Sequence, residues 1–296
     1  MADVFDFIQP ALLSLIRYLV ILVISYLFTA VTFPYLVKLI DEAGVKRVNY
    51  RGESIPTSLG LIFVLLLPLI TTAGMLLSVK SFAKTNSLLF LFITLGMGMM
   101  GFIDDQFGNH VKGFRGHLRA FFIDKKLTSG GLKLVFGAVI ALTFTVGNAL
   151  WLATAQAPWM SFINFFLICL AANTINLFDL RPGRAGKVFL TAFVLVLLFS
   201  KYLESYISLF IPIIAILLFY LPFDLRAQVM MGDVGSNLLG SSLGVMMVWM
   251  LSDLGKIIAL VVLISLQILA EKFSFSEIIE QYRFLKQLDD LGRGKK

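Results

Sequence analysis

Charged residues are scarce in this sequence: Asp, Glu, Lys and Arg make up 15% of its 296 residues, against about a quarter in a soluble domain. That scarcity, with 58% apolar residues gathered in long runs, excludes an ordinary soluble core and places the chain among membrane proteins. Cysteine occurs once, as Cys169 inside an apolar run. An internal disulfide is therefore excluded, and a buried structural thiol is expected. Met1 to Pro10 carry Asp3 and Asp6 but no basic cluster, which argues against a cleavable signal peptide. Ionisable residues are nearly missing at mid-span, Arg17 lying near one helix end, so the charged midplane pathway of a transporter is not expected. The net charge is +7. In a membrane protein the distribution of that charge is what informs, and no nucleic-acid partner is expected.

A helix needs roughly 20 apolar residues to cross a bilayer. Nine candidate spans follow: 12–33, 58–79, 87–103, 131–152, 159–178, 188–203, 206–222, 235–251 and 256–270. The fold class expected is thus all-α, a polytopic integral membrane protein of about nine transmembrane helices. An odd number of spans puts the termini on opposite sides. With the C-terminus inside, the inner segments 34–57, 104–130, 179–187, 223–234 and 271–296 hold nineteen Lys and Arg. The outer loops hold four: Lys80, Lys84, Lys201 and Lys256. Basic residues favour the cytoplasmic side, so the N-terminus is expected outside and the C-terminus in the cytoplasm. No repeat, linker or low-complexity stretch divides the chain. Residues 1–270 read as one integral domain and 271–296 as a charged, helical cytoplasmic tail.

Four polar motifs lie at inner span boundaries. Gly101-Phe102-Ile103-Asp104-Asp105 closes the third span. Two adjacent carboxylates at a helix C-terminus repel each other and oppose the dipole. Mg²⁺ suits them, being an oxygen-loving ion held by one or two carboxylates plus phosphates; a solvated helix end is the plain alternative. Asn173-Thr174-Ile175-Asn176-Leu177-Phe178-Asp179 closes the fifth span. Asn173 and Asn176 are one turn apart, and buried amides need partners, either a ligand or a neighbouring helix. Arg181, Arg184 and Lys187 then flank Pro182-Gly183; guanidinium forks suit phosphate or diphosphate, though positive-inside anchoring would also explain them. Met231-Gly232-Asp233-Val234-Gly235-Ser236 opens the eighth span, where Asp233 suits a helix N-terminus and the glycines permit close approach. Asn49 to Thr57, before the second span, reads either as a simple loop with a helix start at Pro56 or as a further part of the site.

In this order the motifs resemble the polyprenyl-phosphate N-acetylhexosamine-1-phosphate transferase superfamily, glycosyltransferase family 4, in its phospho-N-acetylmuramoyl-pentapeptide transferase-like branch. The matching pieces are Arg51-Gly-Glu-Ser-Ile-Pro-Thr, Gly-Phe-Ile-Asp104-Asp105, Asn173-x-x-Asn176-Leu-x-Asp179 and Met231-Gly-Asp233-x-Gly-Ser236. The resemblance implies a phospho-sugar transferase that uses a UDP-sugar and polyprenyl phosphate at the cytoplasmic face and releases UMP. It implies Mg²⁺ as cofactor, with Asp233 as its ligand. Asp104, Asp105 and Asp179 take catalytic roles, and Asn173, Asn176, Arg181, Arg184 and His117 bind substrate. A bacterial plasma membrane, a cell-envelope pathway such as peptidoglycan synthesis, and a homodimer rest on the resemblance alone. Lipid phosphate is largely ionised near neutrality, which favours direct attack; a covalent aspartyl intermediate stays open.

The sequence departs from the family pattern twice. Pro182 stands where members have a second Asp, and the His-rich loop before the last span is missing. The only histidines are His110 and His117, in the loop after the Asp pair. Three explanations compete. His117 or Arg115 substitutes, or Arg181 and Arg184 bind the diphosphate, or the chain is a catalytically impaired homologue that binds polyprenyl phosphate or acts as a scaffold.

Overall fold

The computed structural model describes residues 2–77, 81–108, 128–151 and 157–293. It is an all-α membrane protein with one small hairpin. The order is α1 (Ala2–Glu42), β1 (Lys46–Val48), β2 (Ser54–Pro56), α2 (Leu61–Leu77) and α3 (Ser81–Phe107). Then come α4 (Ser129–Trp151), α5 (Pro158–Phe178), α6 (Arg184–Leu198), α7 (Leu203–Leu225) and α8 (Gly232–Met250). The chain ends in α9 (Asp253–Lys272), α10 (Phe275–Gln281) and α11 (Arg283–Asp290). Six described helices, α1, α3, α4, α5, α7 and α9, are long and apolar enough to cross a membrane, and α2 is a shorter apolar helix. The expected segments 188–203 and 235–251 fall mainly on α6 and α8, which do not meet that criterion. α6 is too short at 15 residues, and α8 is diluted by glycine, serine, Asn237 and Asp233.

The helices sort by what they face. α1 and α9 are peripheral, with Leu19, Leu27, Leu39, Ile258 and Val262 exposed on their outer faces; such a surface is stable only against hydrocarbon. α8 is the opposite case, with nearly every residue buried against α3, α5, α6 and α7. Its small residues explain how. A Cβ on Gly240 would lie 2.5 Å from Ala172 Cα, and one on Gly244 2.6 Å from Ile168 Cα. Small residues four apart let two membrane helices approach backbone to backbone. Across α8, Trp249 donates to Asn148 of α4 at 2.7 Å, satisfying a buried amide.

The stretch that sequence left open between loop and site, 49–57, forms the turn and second strand of an antiparallel hairpin pairing Lys46 with Pro56; Pro56 ends β2 rather than starting a helix, and α2 begins only at Leu61. Asn49 holds its turn: its Oδ1 accepts from the N–H groups of Arg51 and Glu53, and its Nδ2 donates to Glu53 and to the Ala227 carbonyl. The chain after the hairpin zips onto the residues before α8, with Met230 donating to the Pro56 carbonyl, and Leu59 and Gly60 to Met230 and Met231. One side of the α8 entry is thereby fixed. Cys169 is half-buried on α5.

Candidate active site

The N-terminus of α8 is where distant segments meet. Gly232 adopts φ +72, and a Cβ there would lie 2.3 Å from Asp105 Oδ2; only glycine allows both the turn and the approach. Asp105 therefore seats its carboxylate directly on the start of α8. It accepts from the N–H groups of Asp233 at 3.1 Å and Val234 at 3.4 Å. It also accepts from the Ser58 hydroxyl at 2.9 Å, and Arg47 lies at 3.7 Å. Its side chain is fully buried. This is a helix cap supplied from another helix, answering orphan N–H groups and the positive end of the dipole. Ser58 holds φ +62, a strained conformation for a non-glycine residue, and so aims its hydroxyl at the cap.

Asp104 faces elsewhere. Consecutive residues of a helix point about 100° apart, so the pair cannot share one direction. Lys133 of α4 places its Nζ 3.4 Å from Asp104 Oδ2 and 2.5 Å from Asp233 Oδ2. The Asn176 amide of α5 completes the group. With its nitrogen toward the carboxylate it donates to Asp233 Oδ1 at 3.1 Å and to Ser236 Oγ at 2.8 Å, while its oxygen accepts from Lys133 at 3.1 Å. Four helices thus deliver Asp104, Lys133, Asn176 and Asp233 to one spot, each of the three charged side chains about a fifth to a quarter exposed.

Beside it is a cavity of about 120 Å³ lined by Asp233, Asp179, Asp224, Arg47, Tyr50 and Arg181 among others. Asp179 ends α5. Burial, with the neighbouring carboxylates of Asp224, Asp233 and Asp105, holds it well above the ordinary carboxylate range. Arg181 lies 5.9 Å from the Tyr50 ring centroid and pairs with Glu280 of the tail at 3.3 Å.

Of the residues singled out in the sequence, Asp104, Asp105, Asp233 and Asn176 meet directly, and Asp179 and Arg181 line the adjoining cavity. Asn173 is not brought there: its amide donates to Gln267 of α9 at 2.6 Å. Arg184 is not there either. It is almost fully buried and makes a two-pronged pair with Asp289 at 2.9 and 2.8 Å, plus a bond to Ser276 at 2.9 Å. His110, Arg115 and His117 lie outside the described residues. Sequence reasoning missed Lys133, which was passed over inside the fourth span, although an ionisable residue in a membrane segment is itself a sign of function.

Two carboxylates, one amide and phosphate oxygens from a substrate suit Mg²⁺, which rarely takes an all-protein cage. Among the described residues no three His, Cys, Asp or Glu side chains form a metal-holding group. The Lys133 ammonium reaches both Asp104 and Asp233, so the two carboxylates share one cation. The donor set fits the ion when a phosphate completes it.

The profile of glycosyl transferase family 4 matches residues 87–251, more than half of the chain and all four residues of this cluster. Three similar proteins are each named phospho-N-acetylmuramoyl-pentapeptide-transferase. The one from Fervidobacterium nodosum is 31% identical over 204 residues, covering 68% of this chain and 61% of that protein. The one from Staphylococcus saprophyticus is 29% identical over 236 residues, covering 75% and 72%. The one from Thermotoga neapolitana is 27% identical over 241 residues, covering 76% and 72%. The chain therefore spans about three fifths to seven tenths of the length of these relatives.

Proposed function

Since the chain belongs to glycosyl transferase family 4, we propose that it transfers a phospho-sugar from a UDP-sugar to polyprenyl phosphate, releasing UMP. One observation carries the reading: Asp104, Lys133, Asn176 and Asp233 converge from four helices at one helix-end cluster beside the Asp179 cavity. An oxygen of the lipid phosphate attacks the sugar-bearing phosphorus. The bond from that phosphorus to the bridging oxygen breaks, and the oxygen leaves with UMP. The product is a polyprenyl-diphosphate-sugar. Both reactants are anionic, so the site has to offset charge as they approach.

Asp233 and Asp104 are the side chains that would hold Mg²⁺, which when bound supplies charge neutralisation at the phosphates. Lys133 turns from the carboxylates toward the diphosphate as the substrate arrives, and Asn176 keeps Asp233 oriented. Asp105 is a positioning residue: it fixes the start of α8 and with it Asp233. Asp179, Tyr50 and Arg181 border the nucleotide. On a nine-span reading the Lys and Arg asymmetry of the loops supports the N-terminus outside and this cluster at the cytoplasmic face; a bacterial plasma membrane rests on the family relationship alone.

The test is UMP release by purified protein given polyprenyl phosphate, a panel of UDP-N-acetylhexosamines and UDP-N-acetylmuramoyl substrates, and Mg²⁺. Release that depends on Mg²⁺ and is lost in Asp233→Asn supports the reading. No release with any sugar sinks it and favours a scaffold that binds lipid phosphate.

A further inference from the structure

A second, larger cavity than that at Asp179 lies away from the reaction cluster. It has a volume of about 870 Å³ and runs between α5, α6, α8 and α9, with α10 and α11 over one end. Its walls are apolar, among them Ala192, Met247, Leu251 and Ile258. Among the described residues the cations in its lining are Arg184 and Lys187, and Asp289 answers them at the same end. It shares no lining residue with the Asp179 cavity, and the turn 179–183 separates the two.

The way the tail meets these cations is specific. Asp289 gives both carboxylate oxygens to Arg184. Lys187 donates to the carbonyls of Leu288 at 3.1 Å and Leu291 at 3.3 Å, and to that of Asp289. These carbonyls form the negative end of α11. Arg293 donates to the Pro182 carbonyl at 2.9 Å and to Asp289, fastening the end of the tail to the turn. A carboxylate and a ring of carbonyl oxygens on a buried guanidinium and a half-buried ammonium is the arrangement a phosphate monoester would offer. The apolar volume beyond it is the arrangement a hydrocarbon chain would require.

We propose that this cavity takes the chain of an anionic lipid whose phosphate pairs with Arg184 and Lys187, and that the C-terminal tail competes for the same two cations. The tail is thus a latch that stands in for the headgroup. Lipid phosphate displaces Asp289 and the carboxyl end of α11, and withdrawal of the lipid lets the tail return. Only the choice of polyprenyl phosphate as probe rests on the transferase reading.

The experiment is amide hydrogen exchange of residues 283–290 in the full chain, held in phosphatidylcholine nanodiscs. Four arms compare no addition, polyprenyl phosphate, uncharged polyprenol, and inorganic phosphate. Polyprenyl phosphate alone is expected to speed exchange of α11 about tenfold, the signature of local opening. Asp289→Asn is expected to exchange fast without lipid. Ala192→Trp and Ile258→Trp, which fill the cavity from opposite walls, are expected to keep the tail protected and to abolish the response. An unchanged wild-type rate overturns the proposal, as does a response that survives both cavity-filling variants. A response to polyprenol or inorganic phosphate equal to that of the lipid phosphate overturns it too. Because the readout is not turnover, a protein that releases no UMP still answers the question.

Discussion

Lys133→Met tests the reaction cluster most directly. The substitution removes an ammonium 2.5 Å from Asp233 and 3.4 Å from Asp104 while keeping an unbranched side chain. At 3.4 Å and an effective dielectric of about 20, one such pair is worth roughly 5 kcal/mol of Coulomb energy. Desolvation of both partners offsets most of it. A net of about 1.4 kcal/mol, one factor of ten, is the portion that a competing divalent ion should recover. Asp104 and Asp233 left without their ammonium should therefore bind Mn²⁺, used as a spectroscopic substitute for Mg²⁺, about tenfold more tightly. Turnover should move the other way, falling by about a hundredfold or more, because a preorganised cation is lost from the phosphates. Mn²⁺ titration by electron paramagnetic resonance reads the first quantity, and UMP release at saturating Mg²⁺ the second. Tightened metal binding with lost turnover is the expected pair of results. Weaker or unchanged Mn²⁺ binding in a variant that still elutes as folded protein would refute the placement of Lys133 as the cation between the two carboxylates.

Three further outcomes follow from the same geometry. Gly232→Ala forces a left-handed conformation on a residue with a Cβ and pushes that Cβ into the Asp105 carboxylate; a loss of about 2–4 kcal/mol should appear as a clear drop in the thermal unfolding midpoint in detergent. Asp179→Asn should cost UMP release less than about tenfold, against a hundredfold or more for Asp233→Asn, because an amide resembles the protonated carboxyl that burial favours at Asp179; equal losses would contradict that. At Asp289 the forks of Arg184 and Arg293, outweighing partial burial, depress the carboxyl to about 2. Its folded value lies below the unfolded value of about 3.9, so the contribution to tail docking is complete above that value and fades as pH falls toward 2. Pepsin should leave the tail intact at pH 5 and clip it progressively between about pH 4 and 2, and earlier onset in Asp289→Asn checks the sign.

The membrane class, the apolar segments that became α1 to α5, α7 and α9, and the residues of the acidic cluster were all legible in the sequence. They rest on local signals: run length, and carboxylates where a span ends. What could not be read is which way a side chain turns once neighbours are in place. Asp104 and Asp105 look equivalent in a string but are about 100° apart on a helix, enough to make one a cap and the other a partner of Lys133. Asn173 and Asn176 differ by only about 60° around α5. That helix lies between α8 and α9, so the small angle sends one amide to Gln267 and the other to Asp233. Arg184 carried the signature of a phosphate ligand and is held by Asp289, 105 residues away, a pairing no local pattern encodes. Lys133 escaped notice because an apolar run was counted as uniform.

The burial of α8 on all sides has a consequence for how this protein is made. A segment with Asp233, Asn237, three serines and four glycines gains little by leaving a translocon for lipid on its own. Its polar groups are acceptable only once α3 and α5 are there to receive them. α3 and α5 are synthesised first, so the ribosome delivers α8 to a prepared cleft. The insertion of this helix is then a folding event rather than a partition into oil, and substitutions on the walls of that cleft should act on biogenesis before they act on chemistry.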